Sequence, residues 1–312
     1  MATSLRAVRK VYTGHKQREG GGFIVRRALG GSVPLCDPFL MLDHFGPITY
    51  APGEALGAPD HPHRGFETVS YVISGEMCHK DSQGNTGNLG PGWVQWMTAG
   101  SGVVHAEMPS ENTRKHGGTV EGFQLWVNLL AKDKMIPPRY QDTPPDKIPV
   151  AMTTDKRVVV KVIAGESLGT RASISTRTPI MYLDILLTPG SEFTQHVPER
   201  YDGFIYVRGG KATIGKVDIE FGQTAILAQG TDVKIENHQK EECRLLLIAG
   251  EPLREPVVQH GPFVMNTEQQ ITQAIEDYRK GKLGEIPGAD ERRRETEAAK
   301  RTQKSTGTWD RS

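Results

Sequence analysis

The sequence of 312 residues has little cysteine and no long apolar run. Its three cysteines, Cys36, Cys78 and Cys243, are odd in number and far apart, which argues against a disulfide framework and a paired-cysteine zinc site. No segment approaches the roughly eighteen apolar residues of a membrane span, and the basic N-terminus lacks the apolar stretch of a secretory signal. We therefore expect an intracellular protein without a membrane partner, cytoplasmic and, in a eukaryote, also nuclear.

An excess of charge of either sign is also missing. Lys and Arg number 38 against 37 for Asp and Glu, which leaves a formal net charge of +1. This balance argues against direct sequence-specific binding of nucleic acid. Apolar residues make up 37% and charged residues 24% of the chain, a mixture that excludes disorder throughout.

Long amphipathic helices are absent from residues 20–250. Short apolar and β-branched runs, such as residues 68–73, 123–129 and 181–187, alternate there with Gly, Pro, Asn and Asp clusters. This pattern predicts an all-β fold class and disfavours a parallel sheet with crossover helices.

The β region divides into two halves that resemble each other. Similar strand and glycine patterns follow His61 and His196, which suggests a duplicated β-domain. Residues 131–149 carry five prolines and few apolar side chains, a composition typical of an extended linker. We predict one domain over residues 1–130 and a second over residues 150–287.

The pattern changes after Thr267, which forms a predicted capping box with Gln270. Four apolar residues then share one helical face: Ile271, Ala274, Ile275 and Tyr278. We predict a helix over residues 268–280 that packs this face against a barrel. Residues 288–312 are highly charged with almost nothing apolar to bury, which predicts a mobile tail.

Two pairs of metal-ligating residue types lie in the first half. His61 and His63 are separated by one residue, so they face the same side of an extended chain. His105 and Glu107 repeat that spacing after a glycine-rich turn. A single pair of this kind is often a solvated surface feature, but the second pair favours ligation. The four side chains predict a metal site at a barrel mouth, with one or two coordination positions left open.

The second half lacks this arrangement. His196 occupies the position that corresponds to His61, but Pro198 stands where the second histidine would be. We therefore expect the second domain to bind no metal.

Three separated blocks make the sequence similar to the pirin family of the cupin superfamily. The blocks are DHPHRGFETVSYVISGEM, GPGWVQWMTAGSGVVHAEMP and EPVVQHGPFVMNTEQQITQAIEDYRKGK. The resemblance implies two tandem cupin β-barrels of the jelly-roll type with a C-terminal helix, and one iron ion per chain, Fe²⁺ or Fe³⁺, in the N-terminal barrel. By motif it assigns the iron ligands to His61, His63, His105 and Glu107. Glu67, a ligand position of the general cupin pattern, then lies beside the ligands.

The resemblance implies two alternative functions for a monomeric protein. The first is an iron-dependent dioxygenase that opens a flavonol such as quercetin, with Glu107 as the catalytic base and a flavonoid or other phenolic compound as ligand. The second is a non-enzymatic, redox-sensitive iron protein that binds a transcription factor or signalling protein as a co-regulator. Four apolar side chains are candidates for a planar-substrate pocket, with plain barrel core as the alternative: Phe45, Phe66, Trp96 and Met97.

Overall fold

The computed structural model describes residues 4–306 and divides the chain into two compact units. The N-terminal barrel contains Lys16–Arg26, Leu42–Pro145 and residues 255–306. The C-terminal barrel contains residues 4–15, Arg27–Met41 and Asp146–Arg254. Antiparallel strands dominate both units, which confirms the all-β class.

Twelve strands precede residue 146. They are β1 Val8–Thr13, β2 His15–Glu19, β3 Phe23–Leu29, β4 Phe39–Tyr50, β5 Ala58–His63, β6 Phe66–Ser74, β7 Met77–Asp81, β8 Thr86–Leu89, β9 Val94–Thr98, β10 Val103–Pro109, β11 Gly118–Asn128 and β12 Arg139–Thr143. A short helix, α1, spans Glu111–His116.

The strands after residue 146 are β13 Val150–Met152, β14 Val158–Ala164, β15 Glu166–Ser167, β16 Thr170–Arg171, β17 Ile180–Leu187, β18 Glu192–His196, β19 Asp202–Gly209, β20 Lys211–Ile214, β21 Val217–Glu220, β22 Gln223–Leu227, β23 Asp232–Glu236, β24 Cys243–Gly250, β25 Val258–His260 and β26 Phe263–Met265. Helices α2, Glu268–Arg279, and α3, Ala289–Thr306, follow. None of the helices within residues 4–306 has the length and apolarity needed to cross a membrane. All three cysteines are free thiols.

The two barrels share one arrangement of strands. The N-terminal barrel has a seven-stranded sheet in the order β12-β9-β6-β11-β4-β3-β2 and a four-stranded sheet in the order β5-β10-β7-β8. The C-terminal barrel has the orders β1-β22-β19-β24-β17-β14-β13 and β18-β23-β20-β21. Each strand of one pattern has a counterpart at the same place in the other, which agrees with a duplicated cupin domain.

Each barrel is built from several separate segments of the chain, whereas the sequence predicted two continuous domains. Strand β1 pairs with β22, so the N-terminus contributes to the C-terminal barrel. Strand β12 lies inside the predicted linker and pairs with β9. The two strands pair with backbone groups of β22 and β9 that would otherwise be left unpaired, and they become the edge strands of their sheets. The prolines of residues 131–149 flank the five residues of β12 and limit its length.

Helix α2 has the predicted capping box. The Thr267 hydroxyl accepts a hydrogen bond from the Gln270 backbone N–H at 3.2 Å, and the Gln270 side chain accepts one from the Thr267 N–H at 3.1 Å. Ile271 and Ala274 are buried in a cluster that includes Val104, on β10. The helix therefore belongs to the N-terminal barrel, whereas its position in the sequence had placed it with the second domain.

Helix α3 corrects the prediction of a mobile tail. Four of its residues are buried on one face: Arg292, Thr296, Ala299 and Gln303. Gln303 donates a hydrogen bond to the backbone carbonyl of Glu54 at 2.8 Å, and Arg292 forms an ion pair with Asp60 on β5. The helix docks through polar contacts, so a search for apolar residues did not find its buried face. The remainder of the predicted tail, residues 307–312, lies outside the described residues.

Replacing Ile271 by Ala tests the docking of α2. Removal of a buried isoleucine side chain leaves a cavity, and we expect a loss of about 2 to 4 kcal/mol of unfolding free energy. Urea unfolding followed by tryptophan fluorescence measures it, because Trp93, Trp96 and Trp126 all belong to the N-terminal barrel. The exposed Gln269→Ala serves as the control, and equal midpoints for the two variants would contradict the packing of α2.

Candidate metal centre

Strand pairing brings the two predicted ligand pairs together. Strands β5 and β10 are antiparallel neighbours, with His61 opposite His105 and His63 opposite Val103. The register then shifts, so that Glu107 lies opposite Ala58. Such an irregularity adds residues to one strand and redirects the side chains next to it. The extra residue lies on β5 between Ala58 and His61, directly before the histidine pair.

Three histidines form a compact cluster inside the N-terminal barrel. One nitrogen from each of His61, His63 and His105 lies within 4.8 Å of the other two. The ring centroids of His61 and His105 are 4.4 Å apart, and that of His63 is 4.8 Å from both. Within residues 4–306, this is the one group of three or more ligating side chains whose donor atoms are this close. Imidazole nitrogens in this arrangement suit a transition metal ion.

Burial makes two of these rings neutral and leaves them without hydrogen-bond partners. His63 is 2% exposed and His105 is 0% exposed. Burial, and secondly the proximity of His61, lowers the pKa of both rings well below the ordinary value. Neither ring nitrogen of His63 or His105 has a hydrogen-bond partner among residues 4–306. Unsatisfied buried polar atoms are costly, and neutral imidazole lone pairs are what a metal cation binds. The residues therefore fit a metal ion.

The third ring is held in the tautomer that ligation requires. His61 Nδ1 lies 2.8 Å from the carbonyl oxygen of Pro59. A carbonyl can only accept, so in the neutral ring Nδ1 carries the proton and Nε2 keeps its lone pair. Backbone carbonyls commonly orient metal-binding histidines in this way.

The structure does not include the Glu107 carboxylate in the three-histidine cluster. Glu107 is buried on the same strand as His105, and its two oxygens accept hydrogen bonds from other side chains. Ser70 Oγ donates to Oε1 at 2.9 Å, and Gln124 Nε2 donates to Oε2 at 2.9 Å. Each carboxylate oxygen has further lone pairs. Ligation by Glu107 stays a prediction, and the two donors were not identified from the sequence.

An aromatic wall adjoins the histidines. The Trp126 ring lies 5.3 Å from that of His63 and 4.4 Å from that of Phe66. Trp126 is half-buried, and its indole N–H donates to Gln124 at 3.2 Å. Sequence reasoning missed Trp126 because the residue lies far from the ligand motifs along the chain. On β11, Gln124 and Trp126 alternate with buried apolar residues. This alternation was the one sequence signal that could have placed both side chains on the same face of the strand.

Comparison with known proteins agrees with this geometry. Residues 22–127 match the family model Pirin, and residues 182–284 match the model Pirin C-terminal cupin domain. Pirin of Homo sapiens is 47% identical over 275 residues, which cover 86% of this chain and 91% of the human protein. The chain belongs to the pirin family.

Two further relatives support this membership. A pirin-like protein of Solanum lycopersicum is 45% identical over 283 residues, covering 89% of this chain and 93% of the tomato protein. The crystal structure of a quercetin 2,3-dioxygenase from Acinetobacter baumannii has a TM-score of 0.86 and 36% identity, covering 91% of this chain and all of that one. The family and the two-cupin fold expected from the sequence blocks are both confirmed.

Of the four predicted pocket residues, Phe45 is half-buried and the other three are fully buried, as is Glu67, which was predicted to lie beside the ligands. Phe66 touches His63, with ring centroids 5.1 Å apart, but is fully buried. Trp96 and Met97 are also fully buried, as the core alternative anticipates. Glu67 is 0% exposed and accepts a hydrogen bond from the Thr98 hydroxyl at 2.6 Å. The candidate substrate surface therefore rests on Trp126, with Phe66 as its buried support.

The C-terminal barrel has a cavity at the end of β18, the strand that corresponds to β5. The cavity has a volume of about 690 Å³, and its lining includes His196, Gln195 and Ser167. His196 is exposed and lies 3.5 Å from Asp232, while Ser167 donates to Gln195 at 2.7 Å. The polar groups at this position therefore have partners within the chain.

A buried lysine holds the loop after β5 in place through hydrogen bonds. Lys134 is 1% exposed, and its Nζ donates to the carbonyl of Gly65 at 2.7 Å and to that of Val264 at 3.1 Å. It also donates to Asn128 Oδ1 at 2.6 Å. Burial lowers the pKa of Lys134 to about 8. No feature of the sequence distinguished this lysine from a solvated one.

The lowered pKa of Lys134 predicts a pH dependence of stability. Between pH 8 and the unfolded value of 10.5, the unfolded chain holds more protons at this position, so the unfolding free energy should rise with pH. The contribution is about 1.4 kcal/mol per pH unit, and Lys134→Met should lack it. Urea unfolding of both proteins at several pH values measures the difference in slope. Exposed Lys132→Met is the control, and equal slopes for parent and Lys134→Met would contradict this prediction.

Proposed function

We propose that this pirin binds one iron ion through His61, His63, His105 and Glu107 and catalyses oxygen-dependent ring opening of a flavonol such as quercetin. The three-histidine cluster carries the proposal, because the buried ring nitrogens of His63 and His105 have no hydrogen-bond partner among residues 4–306. Three imidazoles and one carboxylate suit ferrous iron among several divalent metals. Affinity alone does not select iron, so that choice is supported by the family resemblance.

Iron bound at this position would supply an electron-accepting centre with open coordination positions for a phenolic oxygen. The surrounding residues would orient the substrate and limit access of water. The half-buried indole of Trp126 offers a flat apolar face beside His63, and aromatic rings favour stacked or edge contacts at such distances. A planar flavonol ring system fits that face.

Glu107 is the candidate for moving a proton. A flavonol hydroxyl must lose its proton before the ring becomes electron-rich enough to react, and a carboxylate next to the ligands can accept it. Ser70 and Gln124 hold the two oxygens of Glu107 on the barrel interior. These hydrogen bonds would fix the orientation of the Glu107 carboxylate while the proton is transferred.

A relative of known structure supports the choice of substrate. The similar protein from Acinetobacter baumannii, 36% identical to this chain, is a quercetin 2,3-dioxygenase. Its match over 91% of the chain includes both barrels, so the likeness is not confined to a shared metal motif.

Alanine substitutions test the metal assignment. His61→Ala and His63→Ala should each remove most of the iron, because two imidazoles and one carboxylate form a weaker site, while the barrel stays folded. Metal analysis of purified proteins together with circular dichroism measures both properties. The exposed His116→Ala should keep the iron content of the parent, and full iron occupancy in both cluster variants would disprove the assignment.

The substitution Glu107→Gln distinguishes a role of Glu107 as metal ligand from a role as catalytic base. The amide oxygen can still coordinate but cannot accept the proton, so oxygen uptake with quercetin should fall about 10²- to 10⁴-fold at matched iron loading. Exposed Glu111→Gln is the control. Equal activity per bound iron would exclude the base role. If the iron-loaded parent consumes no oxygen with flavonols, the dioxygenase proposal fails and the redox-sensitive co-regulator becomes the better hypothesis.

A further inference from the structure

Charged residues of opposite sign flank the candidate ligand pair. Asp60 precedes His61, and Arg64 follows His63. Each is paired with a residue from the C-terminal part of the N-terminal barrel: Asp60 with Arg292 on α3, and Arg64 with Asp277 on α2. The residues on both sides of the histidine pair are thus tied to helices more than 200 residues later in the chain.

The Asp60–Arg292 pair has the geometry of a rigid fork. Arg292 Nε donates to Oδ1 of Asp60 at 2.5 Å, and Nη2 donates to Oδ2 at 2.6 Å. Arg292 is 8% exposed and also donates to the backbone carbonyls of Ile286 and Pro287. A two-point contact from a fixed guanidinium restricts the carboxylate in distance and in orientation.

The Arg64–Asp277 pair joins a second set of elements. Arg64 Nη1 donates to Oδ2 of Asp277 at 2.9 Å, and Arg64 Nε donates to the carbonyl of Ser101 at 2.7 Å. Ser101 belongs to the turn that leads into β10, which carries His105. Gly102 of the same turn has φ +124°, and an added Cβ would lie 3.3 Å from Arg64 Nε. Arg64 therefore connects both ligand-bearing strands to α2.

Strand β5 has particular need of such contacts. It is the edge strand of its sheet, with β10 as its single strand neighbour. Pro62 lies between the two histidines and has no N–H to donate, which edge strands tolerate. Helix α3 packs against β5. The side chains of α2 and α3 therefore supply restraint that backbone pairing alone does not provide.

We propose that Asp60–Arg292 and Arg64–Asp277, together called the clamp, position His61 and His63 for metal binding. The four residues are positioning residues that touch no ligand atom themselves. Helices α2 and α3 thereby set how tightly the N-terminal barrel retains its metal. The role in metal retention rests on the proposed metal centre, whereas the restraint on β5 does not depend on it.

Metal release from full-length protein tests the clamp. Arg292→Gln and Asp277→Asn remove one partner of each pair and keep similar side-chain size. After anaerobic loading with Fe²⁺, release to an excess of a ferrous chelator should be about 10-fold faster in each variant, the lower end of the effect for groups that orient metal ligands. Arg294→Gln and Glu276→Gln, both exposed on the same helices, should release iron at the rate of the parent.

A conservative variant separates positioning from general loss of structure. Arg292→Lys keeps the positive charge but gives up the two-point contact, so its release rate should lie between those of the parent and Arg292→Gln. A rate for Arg292→Lys equal to that of Arg292→Gln would favour geometry over charge and would still support the clamp. A rate for Arg292→Gln equal to that of the parent would overturn it.

Hydrogen exchange of the metal-free chain tests, independently of iron, whether the clamp restrains β5. Amides of residues 58–63 should exchange faster in Arg292→Gln and Asp277→Asn than in the parent, while those of β11 stay protected. Uniformly faster exchange across the N-terminal barrel would indicate general destabilisation and would contradict the clamp, as would unchanged exchange in β5. A parent that binds no iron would refute the proposed function, and the exchange result would still stand.

Discussion

The burial of the His63 and His105 imidazoles beside His61 in one barrel is the physical constraint on which the candidate site depends. Desolvation favours the neutral form of His63 and His105, and no protein group compensates their ring nitrogens within residues 4–306. This arrangement does not stabilise the fold, because apolar side chains would fill the same space without the free-energy cost of burying unsatisfied ring nitrogens. The constraint makes sense when a cation occupies the cluster. The hydrogen-bonded carboxylate of Glu107 and the aromatic face of Trp126 would then both lie beside the cation.

A second constraint arises because two of the candidate ligands, His61 and His63, lie on an edge strand. Strand β5 has backbone pairing on one side, and side chains from distant helices restrain the other. The C-terminal segment from Glu255 therefore belongs to the N-terminal barrel, and β1 belongs to the C-terminal barrel. The order of the segments along the chain differs from their grouping into barrels, because β1 pairs with β22 and helix α2 packs against β10. The helices consequently contribute to the site without carrying a ligand.

Local signals in the sequence were informative wherever a short-range pattern had one structural meaning. Short apolar and β-branched runs between turn residues predicted strands, and Thr267 with Gln270 predicted the start of α2. The helix end at Arg279 lies within one residue of the expected boundary. The same reasoning failed for β12, whose five residues pair with β9 although prolines surround them. It failed again for α3, because a face that contains Arg292 and Gln303 looks solvated until its partners are known.

The sequence by itself determined the all-β class, the duplicated cupin pattern and the histidines that could share one metal ion, since residue spacing on an extended strand decides which side chains face together. Tertiary structure decided which of those side chains meet. It placed His61 opposite His105, gave Glu107 its donors Ser70 and Gln124, and brought Trp126 beside His63. It also paired Asp60 and Arg64 with residues more than 200 positions away. Such contacts depend on the register and packing of whole elements, which no local pattern of residues specifies.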